Sequence, residues 1–137
     1  MKAINPYLNF PGTCAEAFRF YEKALGGKIE MLQTHGESPT QEARPEWKDL
    51  VMHARLVAGD VVLMGSDAPP GQYKGGGNIY LSLQLNDPKQ GEKIFKALSE
   101  KGKVEMPFEK TFWSPGFGIV IDRYGIGWMV NTAEGAS

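Results

Sequence analysis

The chain has 137 residues, with 15 Lys+Arg against 16 Asp+Glu and a net charge of -1. That balance argues against a nucleic-acid glove or a polybasic membrane anchor. Apolar residues at 42% and charged residues at 23% suit a soluble globular fold. The longest apolar run, Val61-Val62-Leu63-Met64, is far short of the roughly 20 residues that span a bilayer. Met1-Lys2 leads into no apolar stretch of the kind a signal peptide needs. The single cysteine, Cys14, excludes an internal disulfide and fits a reducing compartment. A cytoplasmic protein without nucleic-acid or membrane partners is expected.

The elements repeat along the chain. Residues 4–10 alternate, with Ile4, Leu8 and Phe10 on one face of a strand and Asn5, Tyr7 and Asn9 on the other. Thr13 then reads as a helix cap with Glu16 as its capping-box partner. Cys14, Phe18, Tyr21 and Leu25 form an apolar helical stripe, and Gly26 stops it. Three strand-like stretches follow at about 27–34, 49–57 and 60–66, the last two joined by the Ala58-Gly59-Asp60 turn. Segment 35–48 is polar and contains proline, and reads as a long loop or lid. The segment 65–77 joins the copies, and its Gly75-Gly76-Gly77 run is a linker rather than a phosphate loop, because no helix follows it.

The second copy opens with a strand at 78–85, whose Ile79, Leu81, Leu83 and Leu85 lie opposite Asn78, Tyr80, Ser82 and Gln84. Asp87 reads as the next helix cap, with Pro88 at the first helical position and Gln90 as its partner. Ile94, Phe95 and Leu98 give this helix its stripe, and Gly102 stops it. Strands are expected at about 103–111, 116–122 and 126–132. Two short matches mark the duplication: Asn-x-Tyr-Leu at 5–8 and 78–81, and Gly-Lys-x-Glu-Met at 27–31 and 102–106. They imply offsets of 73 and 75, a drift that reads as a slightly longer intervening element in the second copy. The organisation is therefore two β-α-β-β-β modules, 1–66 and 78–137, with a linker at 67–77, together forming one compact domain.

Several residues carry this pattern toward a known family. They are Pro6-Tyr7-Leu8-x-Phe10, Ala15-x-Ala17 with Phe20-Tyr21, His53-Ala54, Gly59-Asp60 and Ser66-Asp67-Ala68. The densest stretch is Thr111-Phe112-Trp113, Gly116-Phe117-Gly118, Asp122, Tyr124-Gly125, Trp128 and Asn131. With these the chain resembles the vicinal oxygen chelate superfamily of glyoxalases, bleomycin-resistance proteins and extradiol dioxygenases, and within it the PhnB-like branch. The resemblance implies an α+β fold with a curved eight-stranded mixed sheet, helices on its convex face, and a homodimer. It also implies a divalent metal held by His, Glu or Gln, which would polarise a substrate oxygen as a Lewis acid. Carried over position by position, those ligands fall at Asn5, at Asn78 or Tyr80, near Leu63 or Met64, and at Met129 with Asn131 close by. None is imidazole or carboxylate, so no metal centre and no cofactor is expected.

The candidate site residues are accordingly those of an aromatic and polar cleft that binds a small molecule. His53 is the candidate catalytic group, a general base whose side-chain class titrates near neutrality, or else a structural histidine. Asn5, Tyr7, Tyr80 and Trp113 are candidate ligand contacts, Trp113 standing equally as core or dimer contact. Asp67 is a candidate ligand contact or a turn former. His35 reads as exposed, Trp128 and Cys14 as core, and Glu30 and Glu105 as solvated charges in matching positions. Two further readings stay open. One is a metal-dependent lyase or dioxygenase with atypical ligands from His53, Asp67 and the glutamates of 35–48. The other is a drug-sequestering protein, although a charge of -1 would steer cationic drugs poorly. A methyltransferase has no support, since no glycine-rich loop sits between a strand and a helix to hold its cofactor.

Overall fold

A computed structural model describes residues 1–37 and 44–133. Glu42, one of the loop glutamates considered above, lies outside them. The chain divides into two compact units, Met1–Lys74 and Gly75–Ser137. The eight expected strands are present, four in each of two mixed sheets, one sheet per unit. The α+β class follows. Among the described residues no helix is long and apolar enough to cross a membrane.

The first unit contains β1 (Tyr7–Phe10), α1 (Cys14–Leu25), β2 (Lys28–Thr34), β3 (Val51–Ala58) and β4 (Val61–Asp67). Its sheet order is β1-β4-β3-β2, with β1 parallel to β4 and the other pairs antiparallel. The alternation works as the sequence leads one to expect. Leu8, Phe10, Ala54, Leu56 and Leu63 are buried beneath α1, beside Cys14, Ala17, Phe18 and Tyr21. The open face carries the other parity, including Tyr7, Asn9, His53, Arg55 and Met64. Ile4 departs from the expectation: it is exposed, and β1 starts only at Tyr7.

The second unit contains β5 (Tyr80–Leu85), α2 (Pro88–Ser99), β6 (Lys103–Glu109), β7 (Phe117–Ile121) and β8 (Gly127–Thr132). Its order, β5-β8-β7-β6, repeats the first. Val120, Trp128 and Val130 are buried under Ile94, Phe95 and Leu98 of α2. Ile79, like Ile4, is exposed and precedes its strand.

The caps differ from the sequence reading in one instructive place. Thr13 makes no side-chain cap bond on α1. The carboxylate of Asp67, at the far end of β4, takes that role instead, accepting from the Gly12 and Cys14 N–H groups at 3.0 and 2.9 Å. Asp87 caps α2 as expected, accepting from Lys89 N–H at 3.0 Å. Gly26 ends α1 in the left-handed region at φ 72°, where a side chain is costly. α2 ends differently from expectation: Lys101 takes the left-handed turn at φ 59°, and Gly102 is needed for space, since a Cβ there would meet the Ile121 carbonyl at 2.5 Å.

The pairing registers resolve the two competing offsets. Ile29, Leu56 and Leu63 form one row of the first sheet, and Val104, Val120 and Trp128 form the matching row of the second. In the next row Tyr7 pairs with Met64 and Met64 with Arg55, while Ser82 pairs with Met129 and Met129 with Ile119. The duplication therefore runs at an offset of 75 through β1 and β5 as well. Tyr7 matches Ser82 in position, and Tyr80 matches Asn5. The Asn-x-Tyr-Leu similarity is out of structural register by two residues, which keeps face parity intact.

Candidate functional site

The open face of the first sheet is built from alternate residues of four strands. Tyr7 Oη lies 3.3 Å from His53 Nδ1, and the two rings are 5.8 Å apart at 30°. The contact is diagonal, because Tyr7 shares a row with Met64 and Arg55 while His53 stands two rows on, opposite Gln33. When the phenol donates to Nδ1, the imidazole carries its proton on Nε2 and presents it away from the tyrosine.

Beside this pair a β-bulge shapes the face. Between Ile29 and Met31 the register of β2 against β3 shifts, leaving Glu30 as the extra residue. A bulge bends its strand and re-aims a side chain. Here Glu30 Oε1 accepts from Arg55 Nε at 2.9 Å, with both side chains about half exposed. Arg55 Nη1 in turn lies 4.0 Å from Met64 Sδ. Arg55 escaped the sequence reading, although its position two residues beyond His53 on one strand put both on the same face.

The second unit repeats the bulge with a different outcome. Glu105 is the extra residue between Val104 and Met106, and its carboxylate accepts from Tyr80 Oη at 2.5 Å. That bond raises the phenol pKa above its ordinary value, because the neutral donor serves the carboxylate. Further along the same face Asn131 Nδ2 donates to Gln84 Oε1 at 2.8 Å, and Gln84 Nε2 donates to Ser82 Oγ at 2.8 Å. The matching glutamates are thus both engaged by side chains rather than merely solvated.

Trp113 stands apart from these pairs. It is 49% exposed, edge-on to Phe112 and Phe117 at 4.8 and 5.4 Å. The turn that projects it is held by Thr111 Oγ1, which accepts from the Trp113 and Ser114 N–H groups. Asn5 is exposed and precedes β1. His35 is half-buried rather than exposed, 5.8 Å from the Trp47 ring. Trp128 is fully buried and donates from Nε1 to Asp122 at 2.8 Å.

Asp67 does not join the site. It is 6% exposed, and its second oxygen accepts from Val51 N–H at 2.8 Å, so three backbone amides hold the carboxylate. It ties the end of β4 to the start of α1 and to β3, which commits it to the fold rather than to a ligand.

The comparisons with known proteins bear on this geometry. A model of the Glyoxalase/Bleomycin resistance protein/Dioxygenase superfamily matches residues 3–130. This chain belongs to that superfamily. It is 31% identical over 141 residues to Protein YjdN of Escherichia coli K12, covering 96% of this chain and 95% of that protein. The crystal structure of PA1353 from Pseudomonas aeruginosa is 43% identical, with a TM-score of 0.89 over 97% of this chain and 98% of the other. A PhnB protein of Bacillus cereus shares the fold at 22% identity and a TM-score of 0.80, over 96% and 100% of the two chains.

The metal centre that the superfamily resemblance implies does not fit the residues present. Among the described residues no three His, Cys, Asp or Glu side chains come together in a way that could hold an ion. Of the alternatives left open by the sequence, Leu63 faces the helix and is buried, which leaves Met64 on the open face. The matched register likewise selects Tyr80 over Asn78 as the counterpart of Asn5. Thioether, phenol and carboxamide form a poor donor set for a divalent ion.

Proposed function

We propose that this superfamily member binds a small molecule on the open sheet faces and that the Tyr7–His53 pair is the chemical centre of that site. The observation that carries this reading is the 3.3 Å contact between Tyr7 Oη and His53 Nδ1 on the face turned away from α1. The pair supplies one proton donor and one acceptor beside an aromatic ring, the mix of groups that lines small-molecule pockets. In the tautomer with Nδ1–H donating to Tyr7 Oη, His53 Nε2 is the free base that takes a proton from a bound hydroxyl, amide or carbonyl-adjacent carbon, and Tyr7 orients its ring. Asn5 is a secondary contact in the same proposal, and Tyr80 and Trp113 are proposed as contacts within the second unit. The protein is proposed to be cytoplasmic and a homodimer.

The histidines make the test direct, because there are two in the chain. A fragment library is screened by following the ring Cε1–H signals of His35 and His53. Hits are expected to move His53, to leave His35 in place, and to bind at least ten-fold more weakly to His53→Ala. Hits that bind His53→Ala as well as the parent would overturn the site. The metal-dependent alternative loses Asp67 to the fold, and no observation favours it.

A further inference from the structure

We propose that Arg55 makes the open face of the first unit a receptor for a small oxyanion, a carboxylate or phosphonate carried on a short apolar body. This rests on reading that face as the ligand site and names the class of ligand it takes. The guanidinium has five N–H donors in a rigid fork. Glu30 accepts from Nε alone, at 2.9 Å. Nη1 faces the Met64 thioether at 4.0 Å, a weak acceptor at long range. Among the described residues the bulged glutamate therefore orients the group and leaves most of its donors to a ligand.

The surroundings set the rest of the ligand. Tyr7, Met64 and Arg55 share one row, so Tyr7 and Arg55 are two strand spacings apart, about 9–10 Å. Met64 is the floor between them. An oxyanion on the fork leaves room for a few carbon atoms over the thioether before the Tyr7–His53 pair is reached. A planar fork meets a carboxylate or phosphonate through two parallel hydrogen bonds, which a lysine cannot reproduce.

The second unit is an internal control. The same bulge holds Glu105, but Ile119 occupies the Arg55 position and Glu105 takes the Tyr80 hydroxyl instead. The duplicated scaffold keeps the carboxylate in both copies and offers a cation to it in the first. Charge recognition is thereby confined to one face.

The experiment titrates the full chain with acetate and methylphosphonate, and separately with the neutral analogues acetamide and dimethyl sulfone, at constant ionic strength. Signals of Tyr7 and His53 are followed in the parent, Arg55→Lys and Arg55→Met, and those of the Arg55 side chain in the parent. The expected result is anion binding that weakens about ten-fold in Arg55→Lys and further in Arg55→Met, with neutral binding unchanged. Whichever of the two anions binds tighter identifies the headgroup. Anion binding of equal strength in Arg55→Met would overturn the proposal, and so would acetamide moving Tyr7 and His53 while both anions fail to. If none of the four probes moves them, the face is not a ligand site and the broader reading falls too. Thermal unfolding of each variant separates lost binding from lost structure.

Discussion

Asp67 holds three backbone amides, two at the start of α1 and one at the start of β3, and a buried carboxylate with such partners is costly to alter. Asp67→Asn turns an acceptor into a donor facing an N–H, and should cost about 3 kcal/mol in chemical denaturation. A loss below about 0.5 kcal/mol would show that the bonds are dispensable. Cys14 sits beside that carboxylate. Burial first, and then the Asp67 charge, push its thiol pKa up to about 12. A free thiol in the unfolded chain titrates near 8.5. Folding thus favours the neutral thiol, so this contribution to stability is complete below about pH 8.5 and is lost as pH rises toward 12. Denaturation midpoints should fall more steeply between pH 9 and 11 in the parent than in Cys14→Ala, and parallel slopes would remove the linkage. At the scale of single residues the sequence was legible where parity decides, as for Tyr7, His53 and Trp128. It was not legible where a side chain reaches across the fold. Nothing local to Asp67 announces Cys14, which is 53 residues away.

The two helices carry the same kind of start signal with different physical content. Asp87 accepts from Lys89 N–H, whereas Thr13 has φ -108° and ψ 13° and makes no cap bond. Asp87→Ala should therefore cost about 1 kcal/mol, and Thr13→Ala close to none. Equal losses would mean that Thr13 caps after all. The dense Gly116-Phe117-Gly118 motif is also structural. A Cβ on Gly118 would meet Phe95 at 2.6 Å and the Phe108 backbone at 3.0 Å, and one on Gly116 would meet Phe108 at 2.5 Å. Strand β7 can lie against β6 and α2 only where those side chains are missing. The strands themselves were readable from alternation, to within a few residues at each end. The bulges at Glu30 and Glu105 were not, because a bulge is a mismatch between two strands and no single strand contains it. Arg55 became part of the site only once the bulge brought Glu30 to it.

For the whole molecule, duplication is what makes the sequence informative and also what misleads. The repeat of β-α-β-β-β was visible because each copy must bury one strand face under one helix. Its register was blurred because two chance-like matches differed by two residues, a slip that preserves parity and leaves the burial pattern unchanged. Pairing across strands removes the ambiguity and places the superfamily's metal positions on thioether, phenol and carboxamide side chains. A specific metal site binding the folded state stabilises it by RT ln(1 + [L]/Kd). A site with a Kd of about 1 μM would gain roughly 4 kcal/mol at about 1 mM metal, which raises Tm by roughly 10 °C or more in a chain of this size. Addition of 1 mM Mn(II), Ni(II) or Zn(II) should instead move Tm by less than about 2 °C, the response of weak surface binding. Native mass spectrometry of protein purified without chelator should agree, with no divalent ion in stoichiometric amount. A large shift with one ion, matched by one bound ion per chain, would restore the metal centre. It would also shift the search for its ligands to His53 and Glu30 in the first unit, or to Glu105 in the second, which the Tyr7, Arg55 and Tyr80 side chains now occupy.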